Sequence, residues 1–179
     1  DRWKSFDLVL PSLALSLLSA LGVDPVLERT IGAFYRGHSR VFKMRSVYGD
    51  EFKPSNGAIQ GDASALLMVN ALYSVWRRAL LQAAPQVQAF VFGDDTKVVA
   101  HDLPPEQFKA AWDLTVEFDR DVGQVPNHAK TVVASSRPLA ATKRLAKSLH
   151  PSLAAAKSAK SLGFVHRFDR ARVAGHQAT

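Results

Sequence analysis

Two adjacent carboxylates at the tip of a predicted hairpin are the residues with the clearest capacity for chemistry. Asp94 and Asp95 follow Gly93 between two short runs of β-branched and aromatic residues, Val87 to Phe92 and Thr96 to Ala100. Such runs favour strands, and Gly and Asp suit the turn between them, so the stretch predicts a β-hairpin. The two charges repel each other, and a divalent cation would relieve that repulsion. An ordinary Asp-rich turn is the alternative, and a third carboxylate with a nucleotide pocket would decide between them.

The elements that must position the hairpin are mostly helical. Apolar periodicity and Pro and Gly signals predict helices over Leu13 to Leu21, Pro25 to Tyr35, Ala63 to Ala84 and Pro104 to Val122. Further strands are predicted over Asp1 to Val9, Arg40 to Val47 and Thr131 to Ala134, with a turn at Gly49-Asp50 and a return strand from Glu51 to Lys53. Ala140 to Lys147 and Leu153 to Ser161 are predicted to be helical or partly loop, and Ala174 to Thr179 to be frayed.

The order of these elements predicts an α+β fold. Leaving aside the excursion from Gly37 to Asn56, the order is strand, helices, hairpin, helix, strand. This is the ferredoxin-like β-α-β-β-α-β arrangement, an antiparallel sheet with helices packed on one face. Because the first strand lies beside the central hairpin in that arrangement, Asp1 is predicted to lie next to Asp94.

Composition limits the possible classes of protein. The 179 residues are 47% hydrophobic and 22% charged, which is typical of one globular domain with a sizeable core. The chain has no cysteine, which excludes disulfides and thiolate metal sites, and its six histidines show no ligand spacing. The longest apolar run, Leu8 to Leu21, is too short and too interrupted for a membrane span, so we expect no membrane partner.

Charge is positive overall and unevenly distributed. The net charge of +7 and the pI near 9.9 favour a polyanionic partner. Eight acids and three bases lie between Val87 and Ala129, whereas ten bases and one acid lie between Lys130 and Arg172. An acidic centre beside a basic flank fits metal chemistry next to a nucleic-acid track.

Five short stretches carry a resemblance to a known family. Three of them are Asp1-Arg2-Trp3-Lys4-Ser5-Phe6-Asp7, Gly57-Ala58-Ile59-Gln60-Gly61 and Phe92-Gly93-Asp94-Asp95. Gly123 to Lys130 follows, a Gly-initiated loop that ends in N-x-x-K, and then the turn Leu162-Gly163. In this order they resemble the D-x-x-K-[AS]-F-D, G-x-x-Q-G, [YF]-[AVG]-D-D, loop and primer-grip motifs of a reverse transcriptase palm. The resemblance is closest to the non-LTR retrotransposon and group II intron type, and it covers Asp1 to Gly163.

The resemblance implies a right-hand polymerase palm with RNA-directed DNA polymerase activity. The partners would be an RNA template, a DNA primer and dNTPs. Asp1 and Asp94 would bridge two Mg²⁺ ions, for which Mn²⁺ is a possible substitute, while the backbone carbonyl of Arg2 adds a ligand and Asp95 is a supporting carboxylate. Two ions about 4 Å apart can activate the primer 3′-hydroxyl and stabilise the leaving pyrophosphate, which is what phosphoryl transfer requires.

The remaining motif residues would bind the nucleotide and the primer. Phe6 stands where the family has the steric gate that excludes a 2′-hydroxyl, and Gln60 and Gly61 would contact the incoming nucleotide. Lys130 resembles the lysine proposed to protonate the pyrophosphate, and Leu162 and Gly163 would form the primer grip. Simpler roles stay open, since Phe6 could be a core aromatic and Lys130 a solvated surface lysine.

The sequence also departs from the family pattern. Asp62 follows Gln60-Gly61, where the family usually has small residues or Pro, and we interpret it as the N-cap of the next helix. Residues 1–134 are predicted to be the palm, with 37–56 as a hairpin excursion, and residues 135–179 the primer-grip region and the start of a basic thumb. The chain opens at Asp1 with no fingers before it, so we expect a piece of a longer protein, which could be inactive alone.

Other functions compete with this interpretation. An RNA-dependent RNA polymerase also carries Gly-Asp-Asp and a D-x₄₋₅-D motif, which Asp1 and Asp7 could satisfy, but it typically has S-G-x-x-x-T and Asn where this chain has Gln60-Gly61. A non-catalytic nucleic-acid-binding remnant of a retroelement is a second alternative, although all three carboxylates are present. A generic ferredoxin-like binding module is a third, but it would not need Gln60-Gly61 or the Asn127 to Lys130 stretch.

Overall fold

Helices and small sheets both build the protein. The computed structural model describes residues 2–93, 95–101, 104–161 and 164–167, and over these the predicted α+β class is confirmed. The helices are α1 (Ser5–Leu8), α2 (Pro11–Ala20), α3 (Pro25–Gly37), α4 (Ala63–Ala83), α5 (Pro105–Asp121) and α6 (Leu139–Leu149). The strands are β1 (Arg40–Met44), β2 (Val47–Phe52), β3 (Val87–Phe92), β4 (Asp95–Ala100), β5 (Val132–Ala134), β6 (Ala154–Ala156), β7 (Ser158–Ser161) and β8 (Phe164–Arg167).

The chain divides into two compact units. The first unit is Arg2–Pro126, and the second unit begins at Asn127. The predicted division into a palm of residues 1–134 and a basic region of residues 135–179 stays a prediction.

The helices predicted from Leu13, Pro25, Ala63, Pro104 and Ala140 are confirmed as α2 to α6.

Helix α4 forms the centre of the core of the first unit. Its Ala, Leu and Met residues favour a helix, and it ends just before Pro85, which cannot continue one. Leu72, Trp76 and Leu80 recur at helical spacing and are almost completely buried. Helices α2 and α5 and strand β3 pack against α4, and the Trp76 indole N–H donates to the Thr115 hydroxyl of α5 over 3.1 Å. Because β3 packs on α4, this helix holds one strand of the hairpin formed by β3 and β4.

Strands β3 and β4 form the predicted antiparallel hairpin, which has one packed face and one open face. Val87 and Ala89 are buried towards the core, whereas Phe90 and Phe92 are 52% and 68% exposed. This alternation is the period of two that a strand imposes on its side chains. Phe92 pairs directly with Asp95, so the open face ends at the first residue of β4.

The complete β-α-β-β-α-β sheet stays a prediction, and its first strand is wrong as predicted. Among the described residues the strands form four two-stranded sheets. The predicted strand from Asp1 to Val9 is, over its described part, an isolated antiparallel bridge between Arg2 and Pro126 followed by α1. Lys4 turns the chain with a φ of 49°, and the hydroxyl of Ser5 beyond it lies in a buried hydrogen bond with the Tyr73 hydroxyl. Apolar alternation could not reveal this polar contact.

Strands β1 and β2 form a hairpin that is exposed along nearly its whole length. The turn predicted at Gly49-Asp50 is wrong, because the chain turns at Arg45 and Ser46, with a φ of 55° at Arg45. The return strand therefore begins at Val47 rather than at Glu51. Gly49 and Asp50 lie within β2, opposite an irregularity in the pairing with β1.

The second unit is built on a β-α-β crossover. Strands β5 and β6 pair in parallel, and α6 connects them and packs against both. The helical or loop prediction for Leu153 to Ser161 is wrong, since Ala154–Ala156 pair with β5 and Ser158–Ser161 pair with β8. Alanine favours a helix, but pairing with β5 overrides that local preference. Within the described ranges, no helix has the length and apolarity needed to cross a membrane.

Candidate active site

The tip of the β3–β4 hairpin presents Asp95 to solvent. Gly93 has a φ of 59°, a left-handed conformation that Gly adopts without strain and that lets the strands reverse directly. Asp95 begins β4 and is exposed. Asp94, between these two residues, lies outside the described residues, as does Asp1. Of the three predicted carboxylates, the structure therefore places Asp95 alone.

Arg2 is the buried anchor beside this hairpin. Its side chain is 2% exposed, and Nε donates to Asp119 Oδ1 of α5 over 2.7 Å. Nη1 donates to the Thr96 hydroxyl over 2.9 Å, and the guanidinium lies 4.5 Å from the centre of the Tyr73 ring. A buried charge is costly unless it is paired and hydrogen-bonded. Nε and Nη1 of Arg2 meet that condition, whereas its buried Nη2 has no hydrogen-bond partner among the described residues. The contact with Thr96 holds residue 2 against the strand that begins with Asp95.

The backbone after Asp1 is held on its other side by the loop that follows α5. Trp3 N–H donates to the Val125 carbonyl over 2.8 Å, and the Gln124 amide donates to the Ser5 carbonyl over 3.2 Å. The Ser5 hydroxyl lies 2.9 Å from the Tyr73 hydroxyl of α4. Arg2 and Trp3 thus lie between β4 and the loop of residues 124–126.

Burial controls the charge state of Asp119. Burial raises the pKa of its carboxyl above the ordinary value, although the Arg2 guanidinium beside it acts in the opposite direction. Desolvation therefore outweighs the attraction of Arg2 in setting the direction of this pKa shift. The sequence did not predict that Arg2 and Asp119 form a buried ion pair, because no local pattern indicates pairing between residues 117 positions apart.

The predicted nucleotide-binding residues come from two segments that the backbone ties together. Gly57 N–H donates to the Val9 carbonyl and Ala58 N–H donates to the Phe6 carbonyl, each over 2.7 Å. Gly57 has a φ of 95°, and a Cβ there would lie 3.2 Å from the Asp7 carbonyl oxygen, so the close approach requires glycine. The structure therefore brings the Phe6 segment to the start of the Gln60-Gly61 segment.

The side chains of these residues differ in exposure. Phe6 is partly buried and packs against the core cluster, whereas Gln60 and Gly61 are exposed, and Gly61 has a φ of 88°. The packing of Phe6 agrees with its possible role as a core aromatic and leaves part of the ring accessible. The steric gate stays a prediction, as do the nucleotide contacts of Gln60 and Gly61.

Asp62 occupies the N-cap position of α4, but the structure shows no capping hydrogen bond from its side chain. Its carboxylate instead accepts hydrogen bonds from the Ser64 hydroxyl and, over 3.2 Å, from the Tyr35 hydroxyl. The bond from Ser64 lowers the pKa of Asp62, and burial raises the pKa of Tyr35. Tyr35 also accepts from Ile59 N–H over 3.2 Å, so α3 braces the loop before Gln60. The predicted N-cap position of Asp62 is therefore confirmed, but its side chain makes no capping hydrogen bond.

The other predicted site residues are placed in the second unit or lie outside the described residues. Lys130 is exposed, and its N–H donates to the Asn127 carbonyl over 3.1 Å, which closes the predicted N-x-x-K turn. Leu162 and Gly163 lie outside the described residues, between Ser161 and Phe164, which pair with each other. The roles predicted for Lys130, Leu162 and Gly163 stay predictions.

Metal ligands remain a prediction as well. Over the described parts of the chain, no group of three or more His, Asp or Glu side chains could hold a metal ion, and Asp1 and Asp94 lie outside those parts. No family model matches the chain, and no curated protein matches it. A functional assignment must therefore come from its own residues and contacts.

Proposed function

We propose that the chain is the palm of an RNA-directed DNA polymerase of the reverse transcriptase type, which extends a DNA primer with dNTPs on an RNA template. The observation that carries this proposal is the hydrogen bond of 2.9 Å from the Arg2 guanidinium to the Thr96 hydroxyl. Arg2 follows Asp1 and Thr96 follows Asp95, so the contact supports convergence of the carboxylates from the two motifs. A ferredoxin-like palm needs this adjacency of its first strand and its central hairpin.

The donor set fits a hard divalent cation. The carboxylates of Asp1, Asp94 and Asp95 and the backbone carbonyl of Arg2 offer the oxygen ligands that Mg²⁺ prefers. When bound, Mg²⁺ would activate the primer 3′-hydroxyl and neutralise charge on the phosphates. The contribution of the chain itself is positioning. The ion pair of Arg2 with Asp119 fixes the first segment, and the packing of β3 on α4 fixes the hairpin.

The nucleotide would lie beside the junction of the Phe6 and Gly57 segments. The hydrogen bonds from Gly57 to Val9 and from Ala58 to Phe6 support a common site for the sugar gate and for Gln60. The ring of Phe6 packs against the core, which would hold it in place against a 2′-hydroxyl. The amide of Gln60 can both donate and accept hydrogen bonds with the nucleotide.

The charge of the second unit supports a nucleic-acid partner. Residues 127–161 contain seven Lys and Arg side chains and no Asp or Glu: Lys130, Arg137, Lys143, Arg144, Lys147, Lys157 and Lys160. A surface of one sign attracts the phosphate backbone independently of sequence. We assign to this unit the predicted contacts with primer and pyrophosphate, through Leu162-Gly163 and Lys130.

Primer extension tests the proposed function directly. The full-length protein that carries this chain is incubated with Mg²⁺, a DNA primer on an RNA template, and either dNTPs or rNTPs. We expect extension with dNTPs, because Phe6 would exclude the 2′-hydroxyl. Incorporation of rNTPs alone would support the RNA-dependent RNA polymerase alternative and exclude our proposal.

The metal assignment has a matched control. Asp94→Asn should abolish extension, whereas Asp113→Asn, which removes an exposed carboxylate paired with Lys109 on α5, should leave it unchanged. Extension by the Asp94→Asn variant at the rate of the parent would contradict the metal site. Equal loss in both variants would indicate a general effect of charge instead.

A further inference from the structure

A cavity at the base of the β1–β2 hairpin is not explained by the proposed polymerase chemistry. Its volume is about 470 Å³, within the range of small-ligand sites. The residues that matter for recognition are Asp7, Arg40, Phe42, Phe52, Lys53 and Asn56. All of them belong to the first unit. The cavity combines aromatic groups that can stack on a base, cationic groups that can bind a phosphate, and an amide that can hydrogen-bond.

One wall of the cavity is an aromatic pair with an open outer face. The rings of Phe42 and Phe52 stack with centroids 5.0 Å apart and an interplanar angle of 18°. Phe42 is 75% exposed, so the face turned away from Phe52 is available to a further planar group. A large aromatic surface left in water at this position costs free energy that a stacked base would recover.

The cavity carries two cations against one carboxylate. Arg40 is held in place, since its Nη2 donates to the Gly57 carbonyl over 3.3 Å. Lys53 is exposed and can adapt to an anion, and Asp7 is the acidic residue in the lining. The net positive charge is complementary to one phosphate, and Arg and Lys are the usual phosphate ligands.

We propose that this cavity binds one nucleotide of a single-stranded RNA, with its base stacked on Phe42 and its phosphate held by Arg40 and Lys53. Gly57, which Arg40 contacts, is joined to the Phe6 segment by backbone hydrogen bonds, so the cavity adjoins the predicted nucleotide residues. The strand would be the template ahead of the site of synthesis. That identity, but not the binding itself, rests on the proposed function.

Binding of a labelled oligouridylate of about twelve nucleotides, followed by fluorescence anisotropy without Mg²⁺ or dNTPs, tests the proposal. Phe42→Ala and Lys53→Ala should each weaken binding by about fivefold to tenfold, and Lys53→Ala should reduce the salt dependence by about one phosphate contact. Asp7→Asn should tighten binding, because it removes the negative charge from the lining. Tighter binding is the sign expected for an anion close to Asp7.

Matched controls lie on the same hairpin. Lys43 and Tyr48 form a cation–π pair with 5.2 Å between the ammonium and the ring centre, and neither lines the cavity. Lys43→Ala and Tyr48→Ala remove the same charge and a similar ring, and they should change affinity by less than about twofold. Equal losses in cavity and control variants, or equal affinity for a duplex RNA, would overturn the proposal. Thermal unfolding of each variant confirms that it is folded.

The outcomes separate this proposal from the polymerase assignment. Cavity-dependent RNA binding in a protein that extends no primer would support the cavity and reject the polymerase. Normal extension together with unchanged RNA affinity in Phe42→Ala and Lys53→Ala would support the polymerase and reject the cavity.

Discussion

At the scale of single residues, the ion pair of Arg2 with Asp119 is a buried contact that joins the start of the first unit to α5. Both side chains are nearly inaccessible, and the partners are 2.7 Å apart. Removing one partner leaves an uncompensated buried charge, so Asp119→Ala should lower the free energy of unfolding by about 3–5 kcal/mol. Urea unfolding measures this. Lys109→Ala, which breaks an exposed pair on the same helix, should cost less than about 1 kcal/mol.

The double variant Arg2→Met with Asp119→Leu sharpens the same prediction. A buried ion pair replaced by apolar groups of similar size is often neutral, so much of the lost stability should return. If the double variant is as unstable as Asp119→Ala, packing rather than uncompensated charge is responsible. Polymerase activity should remain impaired in the double variant even when stability returns, because the contact with Thr96 is lost.

Phe6 carries the prediction about sugar selection. If its ring excludes the 2′-hydroxyl, Phe6→Ala should raise the incorporation of rNTPs relative to dNTPs by about tenfold or more, since a steric clash is removed. The ratio of kcat/KM values for the two substrates measures this effect. A lower Tm with unchanged discrimination would instead assign Phe6 to the core, against which it packs.

At the scale of elements, the backbone junction between α1 and the loop before α4 depends on Gly57. Its φ of 95° and the 3.2 Å from a Cβ to the Asp7 carbonyl both oppose a side chain. Gly57→Ala should therefore reduce the free energy of unfolding by about 1–3 kcal/mol. Gly37→Ala, at the end of α3 with no atom within 4 Å, is the control and should be neutral or stabilising. Equal effects in the two variants would contradict the role of the junction.

The elements also show what the sequence could and could not predict. Helix α4 and the β3–β4 hairpin were predictable because their apolar patterns match the periods of helix and strand and because Pro85 and Gly93 mark their ends. The structure of residues 2–8 was not predictable, since Arg2 and Ser5 are buried by partners on α4, α5 and β4. The cavity lining was not predictable either, because Asp7, Arg40 and Lys53 meet only through tertiary packing.

At the scale of the whole molecule, the two units should respond to pH in opposite ways. In the second unit, His128 stacks on His150 with ring centres 3.8 Å apart. Burial is the largest cause that lowers the pKa of His128, and the charge of His150 lowers it further. The unfolded chain then binds more protons than the folded one, so stability is lost as pH falls through the ordinary His range near 6.5. Urea unfolding between about pH 8 and pH 5.5 should show this loss, and His128→Gln should remove it.

In the first unit, Asp119 changes the free energy of unfolding with pH in the opposite direction to His128. Because its folded pKa is raised, the folded state holds more protons just above the ordinary Asp range, and this carboxyl favours folding as the pH falls through that window. Asp119 and His128 therefore have separable pH windows. If the free energy of unfolding changes in the same direction with falling pH in both windows, burial is not the dominant cause of both pKa shifts.

The separation of Arg2 and Asp119 along the chain has a consequence for biosynthesis. Arg2 is made 117 residues before its partner. At the usual rate of about 5–20 residues per second, the ribosome needs roughly 6–23 seconds to produce Asp119 after Arg2. During that interval the guanidinium lacks its buried carboxylate partner, so burial of the segment around Arg2 would carry the cost of an unpaired charge. The first unit can therefore acquire its final structure only when nearly all of it has been synthesised, and its earliest residues are among the last to be fixed.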